Sequence, residues 1–106
     1  MTVLELTKEN FEKEAENAKE TVLIDFWASW CVPCQMLSPT VDEIAEEDHP
    51  NLKVCKVNID EQPELADRFG VMSIPTLVVL KNGETVASSV GVRPKNAILQ
   101  MLEEVK

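Results

Sequence analysis

The sequence predicts an α/β fold in which a central mixed sheet of about five strands is flanked by four helices. Short, apolar, strand-like segments alternate with segments of helical periodicity over about the first two-thirds of the chain, and a hairpin pattern follows. Strands separated by helices pair mainly in parallel, whereas the two strands of a hairpin are antiparallel. The predicted order of elements is β-α-β-α-β-α-β-β-α.

The predicted strands are short and rich in β-branched or aromatic residues. Residues 21–28 (TVLIDFWA) are almost continuously apolar, which is typical of a central strand buried on both faces. Asn82-Gly83 is typical of a tight turn between the last two strands. The five predicted strands are 3–6, 21–28, 52–59, 76–80 and 85–90.

The predicted helices span 7–18, 32–47 and 62–69, with a last helix that begins near Pro94. Thr7 is a candidate N-cap, and Pro94 fits a first helical turn. Pro39 lies within the second helix and should kink it. The apolar faces consist of Phe11, Ala15 and Ala18 in the first helix, Leu37, Val41, Ile44 and Ala45 in the second, and Ala97, Ile98, Met101, Leu102 and Val105 in the last.

Composition excludes several classes of function. The chain has 106 residues, of which 44% are hydrophobic, so it can form one domain, residues 1–106, without disulfide support. The formal net charge of −9 argues against nucleic acid and anionic membranes as partners, because both bind basic patches. No apolar run approaches the length of a membrane helix. We expect a monomer with no nucleic-acid or membrane partner.

The N-terminal residues 1–5 include an acidic side chain too early for a secretory signal peptide, so we expect a cytoplasmic protein. Structural disulfides are rare in that compartment. An odd count of three cysteines also fits poorly with a purely structural disulfide framework. A closely spaced cysteine pair in such a chain therefore indicates a redox or metal-binding role rather than a structural disulfide.

Cys31 and Cys34 are such a pair, placed between the apolar segment 21–28 and the helix predicted after it. The N–H groups and the dipole at a helix N-terminus favour an anion, and the thiolate is the reactive form of cysteine. Cys34 is one turn further along, from where it can reach the Cys31 sulfur, and it should be the less exposed of the two. A thiol pair that forms and breaks a disulfide bond at a low free-energy cost can carry electrons.

Half of a zinc site is the alternative interpretation of this pair. Cys55 and His49 do not have the spacing of a second ligand pair. Pro33 also restricts the loop between the two cysteines. We therefore predict no metal.

Further motifs accompany the cysteine pair along the chain. They are Asp25-Phe26-Trp27-Ala28, Pro39, Lys56-Val57-Asn58-Ile59-Asp60, Ile74-Pro75-Thr76, Lys81-Asn82-Gly83 and Gly91. In this order and spacing, the chain resembles the thioredoxin family over essentially its whole length. The resemblance implies the thioredoxin fold, an electron carrier that reduces protein disulfides, and no cofactor besides a reversible Cys31–Cys34 disulfide.

Thiol chemistry and the resemblance together divide the reaction between the two cysteines. We expect Cys31 to attack a substrate disulfide and Cys34 to resolve the mixed disulfide that forms. The implied partners are disulfide-containing proteins and a thioredoxin reductase. The sequence leaves open whether that reductase is an NADPH-dependent flavoprotein or a ferredoxin-dependent enzyme.

Two other functions compete with a reductase. The first is a disulfide-forming oxidant or isomerase, but oxidising relatives usually carry His at the position of Pro33, and no export signal is visible. The second is a binding module whose redox chemistry is incidental. The presence of Cys31, Cys34 and Asp25 together argues against that passive role.

Asp25 is a carboxylate within an apolar strand, where burial would raise its pKa toward neutrality. Periodicity alone leaves open a solvent-facing position at the strand end. The resemblance implies that Asp25 lies beneath Cys34 and accepts its proton through water. It also implies that Lys56 lies near Asp25 and biases its charge, whereas lysine on a strand is otherwise often a surface residue.

The resemblance implies a docking surface around Cys31. Ile74-Pro75 resembles the cis-proline loop of the family, whose backbone is free to pair with an extended substrate segment. An ordinary trans proline at the start of a strand is the alternative. The residues expected to form this shallow apolar patch are Trp30, Val32, Pro33, Ile74, Pro75, Val90, Gly91 and Val92. Trp27 and Cys55 are expected to lie in the core.

Two residues depart from the family pattern. Val32 stands where most thioredoxins carry Gly, and Gln35 stands where Lys is common. The dipeptide between the cysteines, Val32-Pro33, tunes redox poise across the superfamily, and a β-branched residue narrows backbone freedom there. Without the positive charge of that Lys, one interaction that would stabilise the Cys31 thiolate is absent.

Overall fold

A five-stranded mixed sheet forms the centre of the structure, a computed structural model that describes residues 3–106. Its strands are β1 (Leu4–Glu5), β2 (Thr21–Trp27), β3 (Leu52–Asn58), β4 (Thr76–Lys81) and β5 (Glu84–Val90). They lie in the order β1-β3-β2-β4-β5. Both β1 and β2 pair in parallel with β3, whereas β4 runs antiparallel to β2 and β5. Met1 and Thr2, on which the expected absence of a signal peptide partly rests, lie outside the described residues.

The helical elements of the described residues are a π-helical segment (Glu12–Glu16), α1 (Val32–Glu46), α2 (Pro63–Arg68) and α3 (Lys95–Glu104). The predicted mixed sheet and order of elements are therefore confirmed. Within these residues, no helix is both long enough and apolar enough to cross a membrane. Pro39 lies inside α1 as predicted, and the kink stays a prediction.

The first helix differs from its prediction. Thr7 Oγ1 accepts a hydrogen bond from Asn10 N at 3.3 Å, as expected of an N-cap, but the regular segment starts only at Glu12. Asn17 N donates to Glu12 O, five residues back, at 2.8 Å. This wider turn is π-helical. The periodicity of the apolar residues correctly predicts a buried face but does not distinguish the two helix types.

Alternation along β2 sends successive side chains to opposite faces of the sheet. Val22, Ile24 and Phe26 lie in one core cluster, together with residues of the π-helical segment and α2. Leu23 lies in the other, against α1 and α3. The period of two places Asp25 on the same face as Leu23, under α1. This alternation is what brings the carboxylate toward the cysteine pair.

The β4–β5 hairpin turns at Asn82-Gly83, as predicted. Both residues have positive φ, 53° and 80° respectively, which suits a type I′ turn. A Cβ on Gly83 would lie 2.9 Å from Glu16 O, so the close approach of the π-helical segment also requires glycine there. The turn thus fixes the position of β5, whose last residue Val90 pairs with Thr76.

Candidate active site

The cysteine pair lies at the start of α1. Cys31 is the N-cap residue, with extended backbone angles, and forms a disulfide bond with Cys34. Cys34 N donates a hydrogen bond to Cys31 Sγ at 3.2 Å. An N–H group aimed at this sulfur, at the positive end of a helix dipole, stabilises negative charge on it when the disulfide opens.

Both cysteines are buried in the disulfide form, and Cys34 is the less exposed of the two by a narrow margin. Cys31 is 4% exposed and Cys34 is 3% exposed. Cys31 Sγ lies 3.8 Å from Ile74 O, and both cysteines pack with Ala28 in one small cluster.

The loop before β4 lies opposite the disulfide. The Ile74-Pro75 peptide bond is cis. Gly91 N donates to Pro75 O at 2.8 Å, which ties the end of β5 to this loop. The structure therefore brings Ile74, Pro75 and Gly91 to the side of the sheet where Cys31 lies.

Exposed apolar side chains surround the disulfide on both sides. Trp30 is 65% exposed and Val32 is 63% exposed; Val90 and Val92 are also exposed. Pro33 is exposed in the first turn of α1, and Ile74 is half-buried. Pro75 is buried, so it can contribute little side-chain surface to docking.

Sequence reasoning missed three neighbours of this surface. Met36 lies two residues after Cys34 and is exposed, and Met72 lies two residues before Ile74 and is 96% exposed. The exposure of Met36 could have been predicted from the sequence, because this residue lies outside the apolar face of α1. Asp60 Oδ2 accepts a hydrogen bond from Trp30 Nε1 at 2.8 Å, a contact across thirty positions that no local pattern predicts.

Asp25 is 5% exposed, which excludes the solvent-facing alternative. Its Oδ1 has no hydrogen-bond partner among residues 3–106. Burial raises the pKa of Asp25 from 3.8 to about 7; the nearby Lys56 ammonium opposes this shift and Asp42 adds to it. The carboxyl group therefore exchanges its proton near neutral pH.

A cavity of about 260 Å³ has both Asp25 and Cys34 in its wall. Gln35 and Ser38 line it from α1, and Lys56 lines it from β3. A water molecule occupies about 30 Å³ of liquid, so the cavity has room for water between the carboxyl group and the sulfur. Proton transfer between them can therefore pass through water.

Lys56 is the register partner of Asp25 across the β2–β3 pair. Its Nζ lies 3.9 Å from Glu5 Oε2 and 5.5 Å from the centroid of the Trp27 ring. Trp27 is half-buried and lines the cavity, so its expected place in the core is only partly right. As the cross-strand partner of Asp25, the Lys56 ammonium group favours the charged carboxylate.

The other two polar candidates behave differently. Gln35 Nε2 donates to Ser29 O at 3.1 Å, so the side chain that replaces a common Lys bonds the loop before Cys31. Cys55 is a free thiol with 0% exposure, and burial raises its pKa to about 12. Such a thiol is inert at neutral pH, as expected. Within residues 3–106, no cluster of His, Cys, Asp and Glu could hold a metal ion.

Comparisons with known proteins cover nearly the whole chain. The family model described as Thioredoxin matches residues 2–104. A thioredoxin of Bacillus subtilis is 44% identical over 104 residues, which are 98% of each chain. One from Pyropia yezoensis is 45% identical over 98% of this chain and 97% of its own. Thioredoxin 1 of a Nostoc species is 45% identical over 94% of each chain.

Proposed function

This chain belongs to the thioredoxin family of thiol–disulfide oxidoreductases, and we propose that its two active-site cysteines have separate roles as attacking and resolving thiols. It is a protein-disulfide reductase and electron carrier whose redox group is the reversible Cys31–Cys34 dithiol/disulfide. The observation that carries the proposal is the placement of this pair at the N-terminus of α1, with Cys34 N bonded to Cys31 Sγ.

Cys31 is the attacking thiol. Its thiolate attacks one sulfur of a substrate disulfide; the substrate S–S bond breaks, and one substrate thiolate leaves. Cys34, as a thiolate, then attacks Cys31 Sγ in the mixed disulfide. The second substrate thiolate leaves, and the Cys31–Cys34 disulfide forms. Two electrons have passed to the substrate, which takes up two protons to become a dithiol.

Asp25 accepts the proton of Cys34 before the second attack. Three features support this role: the buried carboxyl group, its pKa near 7, and the cavity that joins it to Cys34. Lys56 tunes the step, because its ammonium group lowers the pKa of Asp25. Val32 and Pro33, both exposed between the cysteines, set the redox poise.

Substrates dock as extended segments across the apolar surface around the disulfide. The cis loop offers backbone atoms of Ile74 beside Cys31, in the manner of an added strand. The side chains and backbone that form this surface are Trp30, Ile74, Pro75, Val90, Gly91 and Val92. Apolar exposure next to the reactive sulfur supports recognition of unfolded or flexible protein segments.

The wider context follows from this activity. We expect residues 1–106 to act as one domain and as a monomer in the cytoplasm, where a reducing dithiol can be kept reduced. A thioredoxin reductase returns two electrons to Cys31–Cys34. Assays with an NADPH-dependent flavoprotein and with a ferredoxin-dependent reductase decide between the two types.

Reduction of insulin by dithiothreitol, with and without the protein, tests the proposal. We expect precipitation of the insulin chains to be accelerated by the native chain and by Cys55→Ala, which removes a thiol outside the site. Cys31→Ser should not accelerate it. Absence of acceleration by the native chain would refute the reductase activity and favour a binding module.

A further inference from the structure

Three charged residues stand side by side across three strands of the sheet. Glu5 on β1 is the register partner of Lys56 on β3, and Lys56 is the register partner of Asp25 on β2. Register partners point to the same face of a sheet, so the three side chains form a row that ends under α1. The row runs from an exposed carboxylate, through the ammonium group, to a buried carboxyl group.

The ammonium group of Lys56 is shared within this row. It forms an ion pair with Glu5, with 3.9 Å between Nζ and Oε2, and lies over the Trp27 ring. Among residues 3–106, Asp25 Oδ1 receives no hydrogen bond. Lys56 acts on the charge of Asp25 as its cross-strand register partner, but its ion pair is with Glu5.

The other groups that face Asp25 leave Lys56 as its one cationic neighbour among the described residues. Asp42 on α1 adds negative charge, and Cys34 on α1 shares the cavity. The register partner on β4, Leu77, carries no charge. Whatever holds the Lys56 ammonium toward or away from Asp25 thus controls the main opposite charge at this site.

We propose that Glu5 is a positioning residue of the active site, which holds the Lys56 ammonium group toward the edge of the sheet and so sets the pH at which Asp25 can take the proton of Cys34. This inference rests on the proposed role of Asp25 as proton acceptor. Glu5 does not touch the reacting atoms, and it acts through Lys56.

Removal of the Glu5 charge should lower the pKa of Asp25 for two physical reasons. An unpaired Lys56 ammonium is free to move toward Asp25, and its positive charge is no longer offset by a neighbouring carboxylate. Both changes favour ionised Asp25 and lower its pKa. Because exposed ion pairs are weak, we expect Glu5→Gln to lower the Asp25 titration midpoint by about half a pH unit.

The test is an NMR titration of the Asp25 carboxyl carbon in the oxidised protein, in which Cys31 and Cys34 do not titrate. The midpoint should fall in Glu5→Gln, and the same change should have little effect in a Lys56→Met background. Glu103→Gln, which removes an exposed carboxylate paired with Lys106, is the matched control and should not move the midpoint. An unchanged midpoint in Glu5→Gln, or an equal fall in the Lys56→Met background, would overturn the proposal.

Kinetics separate this inference from the function on which it rests. In the reduced protein, the pH profile of mixed-disulfide resolution should move with the Asp25 midpoint in Glu5→Gln. If the midpoint moves and the profile does not, Glu5 controls Asp25 but the role of Asp25 as proton acceptor fails. If Asp25→Asn slows resolution while Glu5→Gln moves neither quantity, the role of Asp25 stands and that of Glu5 fails.

Discussion

Replacement of Asp25 by Asn should change how the stability of the protein depends on pH. In the native chain, the buried carboxyl group stays protonated until about pH 7, whereas in the unfolded chain it ionises near its ordinary pKa of 3.8. As the pH rises between these values, the unfolded state alone gains the ionised form. The native chain therefore loses stability over this range, and the Asn variant does not lose this contribution.

The size of the effect follows from the same two pKa values. They differ by about three pH units, and each unit corresponds to about 1.36 kcal/mol, so the stability lost is about 4 kcal/mol. The loss is complete once the pH exceeds about 7. Any penalty for burying the Asn amide is independent of pH, so it shifts the whole curve without changing its shape.

Urea unfolding of the oxidised proteins between pH 4 and 8.5 measures this difference. The free energy of unfolding of Asp25→Asn minus that of the native chain should rise by about 4 kcal/mol from the acid to the alkaline end. Asp67→Asn, which removes an exposed carboxylate on α2, is the control and should give a nearly flat difference. A flat difference for Asp25→Asn would refute the buried, high-pKa carboxyl group.

Two further substitutions test the turn and the active-site loop. Gly83→Ala should reduce the free energy of unfolding by about 1–3 kcal/mol, because its φ is +80° and a Cβ would lie 2.9 Å from Glu16 O. Gly70→Ala, with φ +64° and open space, should cost less, and an equal or larger loss there would contradict the argument. Val32→Gly should shift the reduction potential or the kinetics with the recycling reductase, where about 30 mV corresponds to ~1.4 kcal/mol. If potential and reductase kinetics both stay unchanged, Val32 has no role in redox poise.

The elements that sequence predicts well are those with local causes. The buried strand β2 follows from one apolar run, and the hairpin follows from the φ preferences of Asn82 and Gly83. The sequence predicts an ordinary first helix because Phe11, Ala15 and Ala18 are all buried, although only Ala15 lies within the π-helical segment. The hydrogen bonds of a π-helix, from each N–H to the carbonyl five residues earlier, have no simple signature in the sequence.

The parts of the site that were missed depend on contacts between distant residues. Glu5 lies on a two-residue strand, too short to predict which residue of β3 it faces. The Trp30–Asp60 hydrogen bond joins two loops that only the folded sheet brings together. Burial of Asp25, by contrast, depends only on the alternation of β2 and on the helix that covers it. Periodicity predicts the face of the sheet on which Asp25 lies, and the packing of α1 on that face buries it.

The covalent complex formed by Cys34→Ser with a disulfide-containing substrate tests the division of roles most directly. Without a resolving thiol, the first attack should stop at a stable mixed disulfide, and mass spectrometry should map it to Cys31. Cys31→Ser should trap no comparable complex. A complex formed through Cys55, or one of equal yield in Cys31→Ser, would contradict the assignment of Cys31 as the attacking thiol.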